Sequence, residues 1–235
     1  MSNTSSPVRR RTPAIWRDYG RFIALPRPQH RAIRIDRQWG QDFLALFALN
    51  WIGLLLCLAA VVGIRLIFGA EQPPQKPWPR DPAFLAAMVI MIAPFFEELI
   101  FRSWFPVIAW LRRFGSALRL LYPVAIWAST LIFGLVHLGN FQSLPNSVFA
   151  MAWVAPQLWS GTIYAFARVR LGFFGAFLLH AMSNAVVFSV IFAVGLPKED
   201  LRCVPMKSGN IRCTTESGKT EIVIPPKPIN PDLPN

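Results

Sequence analysis

A polytopic α-helical membrane bundle of about five spans is the fold class that this sequence predicts, and three observations carry the prediction. Hydrophobic residues make up 54% of the 235 and charged ones only 15%, a balance too apolar for an ordinary soluble domain. The apolar residues gather in runs of about 20, the length that crosses a bilayer core as a helix. Arginines crowd the ends of those runs and the leader before them, where basic residues set membrane topology.

The leader, residues 1–42, holds nine arginines before residue 40 against only Asp18 and Asp36. Pro7, Pro13, Pro26 and Pro28 keep its first part from forming one long helix. It reads as a cytoplasmic tail on an anionic lipid surface, with Trp16, Phe22 and Trp39 as interfacial anchors. The net charge of +12 is thereby absorbed by lipid headgroups and topology, and no nucleic-acid partner is expected. The first long apolar run starts only near Phe43, after this basic leader, so it is expected to stay as a span and not to be cleaved as a signal peptide.

The first span is Phe43–Ile64, with Cys57 expected in the core. A loop over residues 69–82 follows, with five prolines counting Pro82. The second run, Ala83–Leu111, carries Pro94 and Pro106 and ends at Arg112 and Arg113. The third covers Leu120–Leu138 after Arg119, and a short turn-rich loop spans Gly139–Asn146. The fourth, Ser147–Ala167, has Pro156 and Gln157 inside it and stops at Arg168 and Arg170. The fifth is Leu171–Leu196. Residues 43–196 thus form the transmembrane domain, and 197–235 a polar, proline-rich tail. Five spans with basic residues inside predict the amino terminus in the cytoplasm and the carboxy terminus outside, in a plasma or inner membrane. In an oxidising compartment Cys203 and Cys213, separated by the turn-like Lys207-Ser208-Gly209-Asn210, are expected to form a disulfide.

Few polar side chains interrupt the later runs. Glu97, Glu98 and Arg102 lie in the second, His137 in the third, His180 and Asn184 in the fifth. An ionisable group at membrane depth costs about 2.5–3.5 kcal/mol on insertion scales and marks function by default. Adjacent helical residues project about 100° apart, so Glu97 and Glu98 cannot serve one site equally. Glu98 precedes Arg102 by four residues, the favourable orientation for an ion pair, which leaves Glu97 to act as a base. Phe133 and His137 share one helix face, as do His180 and Asn184. Counting helical rise from the basic boundaries puts His137 nearer the outer face than Glu97 or His180, and kinks at Pro94, Pro106 and Pro123 would be needed to close that gap.

Two chemistries fit these side chains. Glu97, His137 and His180 are ligand types of a catalytic zinc or other divalent-metal site, although the two-histidine zinc helix motif is absent. Alternatively, Glu97 and His137 activate a water without metal while His180 and Asn184 donate to the oxyanion of a scissile carbonyl.

The order Glu97-Glu98-x-x-x-Arg102, Phe133-x-x-x-His137, His180-x-x-x-Asn184 resembles the CPBP family. These are intramembrane proteases related to the CAAX prenyl endopeptidases and to bacteriocin-processing or immunity (Abi-type) proteins. The resemblance covers roughly residues 83–195. It implies a helical core with a buried site, hydrolysis of a peptide bond in a membrane-associated peptide or protein, and roles for Glu97 and His137 on the water and for His180 and Asn184 on the oxyanion. Glu98, Arg102 and Phe133 would then support the site. With about five spans where larger members have around eight, a partner or a homo-oligomer would complete its enclosure. A non-catalytic scaffold or immunity protein of the same family is the second reading. An ion- or proton-coupled transporter is the third, weakened by the lack of internal repeats.

Overall fold

The computed structural model describes residues 15–28, 35–70, 75–76, 81–143 and 147–194, with three strands, at 201–205, 211–215 and 221–224, described by their backbone. Arg9–Arg11, Arg31, Arg34 and most prolines of the 69–82 loop, all used in the topology argument, lie outside the described residues. The chain divides into two compact units, residues 1–188 and 189–235. Among the described residues, nine α-helices make up most of the first, the last of them running on past its end.

Helix α1 (Ile15–Ala24) places Ile15, Tyr19 and Phe22 on one buried face, the spacing of an amphipathic helix. Its interfacial anchors divide: Phe22 is buried, while Trp16 remains exposed. Helix α2 (Arg37–Phe68) starts where the Asp36 carboxylate accepts from the Trp39 amide at 2.9 Å and ends at Gly69, whose φ of 62° is left-handed. Its 32 residues rise about 48 Å. Most of α2 faces outward, and Cys57 is only partly buried, so its thiol is not in the core. Helix α3 (Pro82–Ala87) is capped by Asp81, with Pro82 in the first turn, where its missing N–H costs nothing.

The second apolar run is one helical stretch with two interruptions. A π-helical turn at Met88–Ile92 leads into α4 (Ala93–Arg102), and the chain breaks at Ser103–Trp104 before α5 (Phe105–Leu111). Pro94 and Pro106 thus act as the sequence predicts. Pro123 does not, since α6 (Ser116–Val136) runs through it unbroken. The end of α6 tightens into a 3₁₀ turn, His137–Asn140. There the Lys76 amide donates to the Asn140 carbonyl at 2.8 Å, tying the two loops together.

The predicted fourth span is divided. Helix α7 (Ser147–Trp153) ends, and α8 (Ala155–Arg170) begins with Pro156 in its first turn. At 16 residues, α8 rises about 24 Å, short of a bilayer core of about 30 Å. Ile163 to Ala167 are all but fully buried, so α8 is the hub of the bundle. Among the described residues, four stretches are long and apolar enough to cross a membrane: Arg37–Phe68, Pro82–Phe114, Arg119–Asn140 and Gly172–Ala193. The last contains α9 (Gly172–Val194).

Aromatic rings and close backbone approach hold this hub. Phe166 of α8 lies 5.6 Å from the Tyr19 ring and 5.1 Å from the Phe22 ring. Arg170 at the end of α8 pairs with Asp42 of α2 at 2.8 Å. At Gly53 of α2 an added Cβ would sit 1.9 Å from the Trp159 indole. Any side chain there would have to displace that ring.

The tail contains a three-stranded antiparallel sheet, order β1 (Leu201–Pro205), β2 (Ile211–Thr215), β3 (Glu221–Ile224), which the proline-rich composition did not announce. The register sets Cys203 directly opposite Cys213. Such antiparallel partners lie about 4.5–5.5 Å apart at Cα, inside the span of about 4.4–6.8 Å that a disulfide bridges. Thiol labelling of non-reduced protein from an oxidising compartment should leave this pair unlabelled until reductant is added. Full labelling without reductant would show that the pair stays reduced.

Candidate active site

The site begins with the defect before α4. In the π-helical turn the Ala93 amide donates to the Met88 carbonyl, five residues back. The next carbonyl, Val89, would need the amide of residue 94, which is a proline and has none. The Asn184 amide supplies the missing donor from α9, Nδ2 to Val89 O at 2.9 Å. In an apolar bundle a broken backbone bond must be satisfied in this way. Asn184 therefore pins the kink from which Glu97 and Glu98 project.

Glu98 and Arg102 have side chains 0% exposed, paired at 2.7 Å, as their spacing predicts. The guanidinium also lies 4.6 Å from the centre of the Phe133 ring and 5.6 Å from that of Tyr164, and its other nitrogen reaches the Gly161 carbonyl at 3.4 Å. A Cβ on Gly161 would press on Phe133 at 3.0 Å, so glycine lets α8 offer its carbonyl there. The fit is incomplete: Glu98 Oε2 and Arg102 Nε have no hydrogen-bond partner among the described residues, unusual for buried polar atoms.

His180 stands between the two glutamates. Its Nδ1 is 3.2 Å from Glu98 Oε1 and its Nε2 3.4 Å from Glu97 Oε2. The imidazole is 4% exposed, whereas Glu97 is 24% exposed. A carboxylate can only accept, so Nδ1 carries the hydrogen shared with Glu98. The ring is stacked on Tyr164 at 4.2 Å with a 23° tilt and meets the edge of Phe133 at 5.8 Å.

His137 joins less directly. Its ring is 4.9 Å from Phe133, and Phe133 is the bridge between the two histidines. Because the 3₁₀ turn sends the His137 amide to Gly134, the Phe133 carbonyl is left for the His137 side chain, with Nδ1 at 2.7 Å. A carbonyl requires a donor, so Nδ1 bears hydrogen and Nε2 offers its lone pair away from the helix. No polar contact joins His137 to Glu97 or His180 among the described residues. Consistently, no three His, Cys, Asp or Glu side chains among those residues are grouped to hold a metal ion. Glu97, His137 and His180 as arranged do not fit zinc or another divalent metal.

Two residues escaped the sequence analysis. Tyr164 is an aromatic among many in an apolar run, and nothing in its spacing singles it out. Asn50 did have a signal: it is an amide inside the first apolar run, Phe43–Ile64, and it is fully buried.

These contacts separate the two glutamates by what their loss should do. Glu98→Gln leaves Arg102 buried without its counter-charge, and breaking a buried pair costs about 3–5 kcal/mol. Thermal unfolding in detergent should show that loss, while Glu97→Gln stays close to wild type; equal stability for both would undo the assignment. Asn184→Ala should cost about 1–3 kcal/mol through the orphaned Val89 carbonyl. The same change should cost less in a Pro94→Ala background, where an amide returns to residue 94. An unchanged cost there would mean that Asn184 is not acting on the kink.

Residues 79–186 match the family described as type II CAAX prenyl endopeptidase Rce1-like. No curated protein and no solved structure matches the chain. The matched residues run from the start of the second apolar stretch to just past Asn184, and they include every polar side chain of the cluster. With four helices long and apolar enough to cross a bilayer, this is an integral membrane protein. Residues 79–186, a little under half of the chain, therefore carry a likeness to the Rce1-like family, and that likeness supports a CPBP-type intramembrane protease.

Proposed function

We propose that the chain hydrolyses a peptide bond in a membrane-associated peptide or protein, with Glu97 as the base. The observation that carries this reading is the contact of Glu97 Oε2 with His180 Nε2 at 3.4 Å. It gives an accessible carboxylate a proton partner inside an apolar bundle, beside a second carboxylate already neutralised by Arg102. The carboxylate geometry also favours a metal-free route, since these donors do not converge on a metal.

In this reading Glu97 takes a proton from a water whose oxygen attacks the carbonyl carbon. The Nε2 lone pair of His137 is a second acceptor that orients the water. The electron pair displaced onto the carbonyl oxygen is met by hydrogens from His180 Nε2 and from the Asn184 amide, which has one hydrogen left after serving Val89. As the intermediate collapses the C–N bond breaks, and the proton held by Glu97 passes to the leaving amine. Glu98 and Arg102 take no part in bond making. They hold the imidazole from its Nδ1 side.

The test compares membranes carrying wild-type protein with membranes carrying Glu97→Gln at equal levels of folded protein. A polypeptide that accumulates uncut in the variant is the expected result. His137→Ala should behave alike, and Asn184→Ala should lower turnover per folded molecule by about 100- to 1,000-fold. If Glu97→Gln and His137→Ala both leave the polypeptide pattern of wild type, hydrolysis is the wrong function and a binding scaffold takes its place.

A further inference from the structure

Asn50 lies on α2, outside the residues that match the family, yet its side chain is built into the wall behind His180. It is 0% exposed, and a buried amide is costly unless its groups are bonded. All of them are. Its Nδ2 donates to Ser183 Oγ at 3.0 Å, its Oδ1 accepts from Ser160 Oγ at 3.0 Å, and its backbone carbonyl accepts from Trp159 Nε1 at 3.2 Å. The orientation of the amide is fixed by hydrogen inventory. Ser183 spends its own hydrogen on the Leu179 carbonyl at 2.8 Å, so it needs a donor from Asn50.

The two serines sit on the helices that carry the stacked rings. Ser160 precedes Tyr164 by one turn of α8, and Ser183 follows His180 by one turn of α9. The Tyr164 hydroxyl faces both serine oxygens and has a single hydrogen to give to one of them, and its ring is the face on which the imidazole lies at 4.2 Å. One turn beyond Asn50, Gly53 removes the side chain that would otherwise hold α2 away from Trp159. The backbone approach and the amide therefore act at the same crossing.

We propose that Asn50 is a positioning residue for His180: its carboxamide ties Ser160 to Ser183, and so fixes the Tyr164 ring that sets the plane of the imidazole between Glu97 and Glu98. The inference rests on the reading of His180 as part of the hydrolytic site. It assigns to α2 a share in that site which the matched segment does not contain.

The chain has only three histidines, His30, His137 and His180, so ¹⁵N-histidine labelling of the full-length protein in detergent gives three imidazoles to follow. The His180 signals are assigned from a His180→Gln sample. Asn50→Ala should displace the His180 ring-nitrogen signals by more than their line width and leave those of His30 and His137 in place. Tyr164→Phe keeps the stacked ring but removes the hydroxyl, and Ser160→Ala removes one link with little change of volume. Each should displace His180 in the same way, and Asn50→Ala combined with Tyr164→Phe should displace it no further than the larger single change. If Asn50→Ala does not fold, these two variants carry the same test. Unmoved His180 signals, additive displacements, or an equal shift of His137 reporting a general loosening would each overturn the proposal. Because no substrate is needed, such a failure leaves peptide hydrolysis standing. Conversely, a Glu97→Gln variant without a phenotype leaves the imidazole test unaffected.

Discussion

A charge pair with no access to water, Glu98 with Arg102, is the constraint on which this bundle depends. Removing two ions from solvent costs several kcal/mol each after relaxation, and their mutual attraction repays that only with further partners. The bundle recruits them from three other helices. Phe133 from α6 and Tyr164 from α8 offer ring faces to the guanidinium, Gly161 of α8 offers a carbonyl, and His180 from α9 contacts the same carboxylate oxygen as the arginine. Where α6, α8 and α9 approach α4 is thus set by what one ion pair needs. Such a pair is poor evidence for net stability. What it provides here is a fixed place for an imidazole.

The parts of this arrangement that were legible from the sequence are those carried by spacing within one helix. Glu98 and Arg102 four apart gave the pair, and the isolated polar residues in apolar runs gave the cluster. The depth mismatch foreseen for His137 also persists in part, for the ring reaches the cluster only through Phe133. Contacts between helices were not legible. Nothing local says that Asn184 serves the Val89 carbonyl, because that need arises from a proline on another helix. Tyr164 looks like any core aromatic until α9 is laid beside it. Asn50 was visible in principle, and a stricter count of polar residues within the first run would have found it.

The span count shows a different limit. Ser147–Ala167 has the composition of a membrane helix, and composition alone cannot separate a helix surrounded by lipid from one surrounded by protein. The distinction lies in what covers it. Most of the α2 surface meets the exterior, while the middle of α8 is all but fully covered by neighbours. Polar residues on α8 belong to this second environment: Ser160 and Thr162 have partners on other helices that lipid could not have provided. The three-stranded sheet in the tail was hidden for a different reason, since its strands are only four or five residues long and lie in a proline-rich segment.

Helix α4 is amphipathic in an unusual sense, charged toward the bundle and aromatic away from it. Phe96 and Ile100 are exposed on the side opposite Glu98 and Arg102, and Glu97 lies between the two sides. The partition separating the carboxylate from the surrounding acyl chains is therefore a single helix thick. For the hydrolysis proposed here the surroundings of Glu97 would be in part the lipid itself, so bilayer thickness and headgroup composition would act on it in the way that pH and ionic strength act on a soluble enzyme.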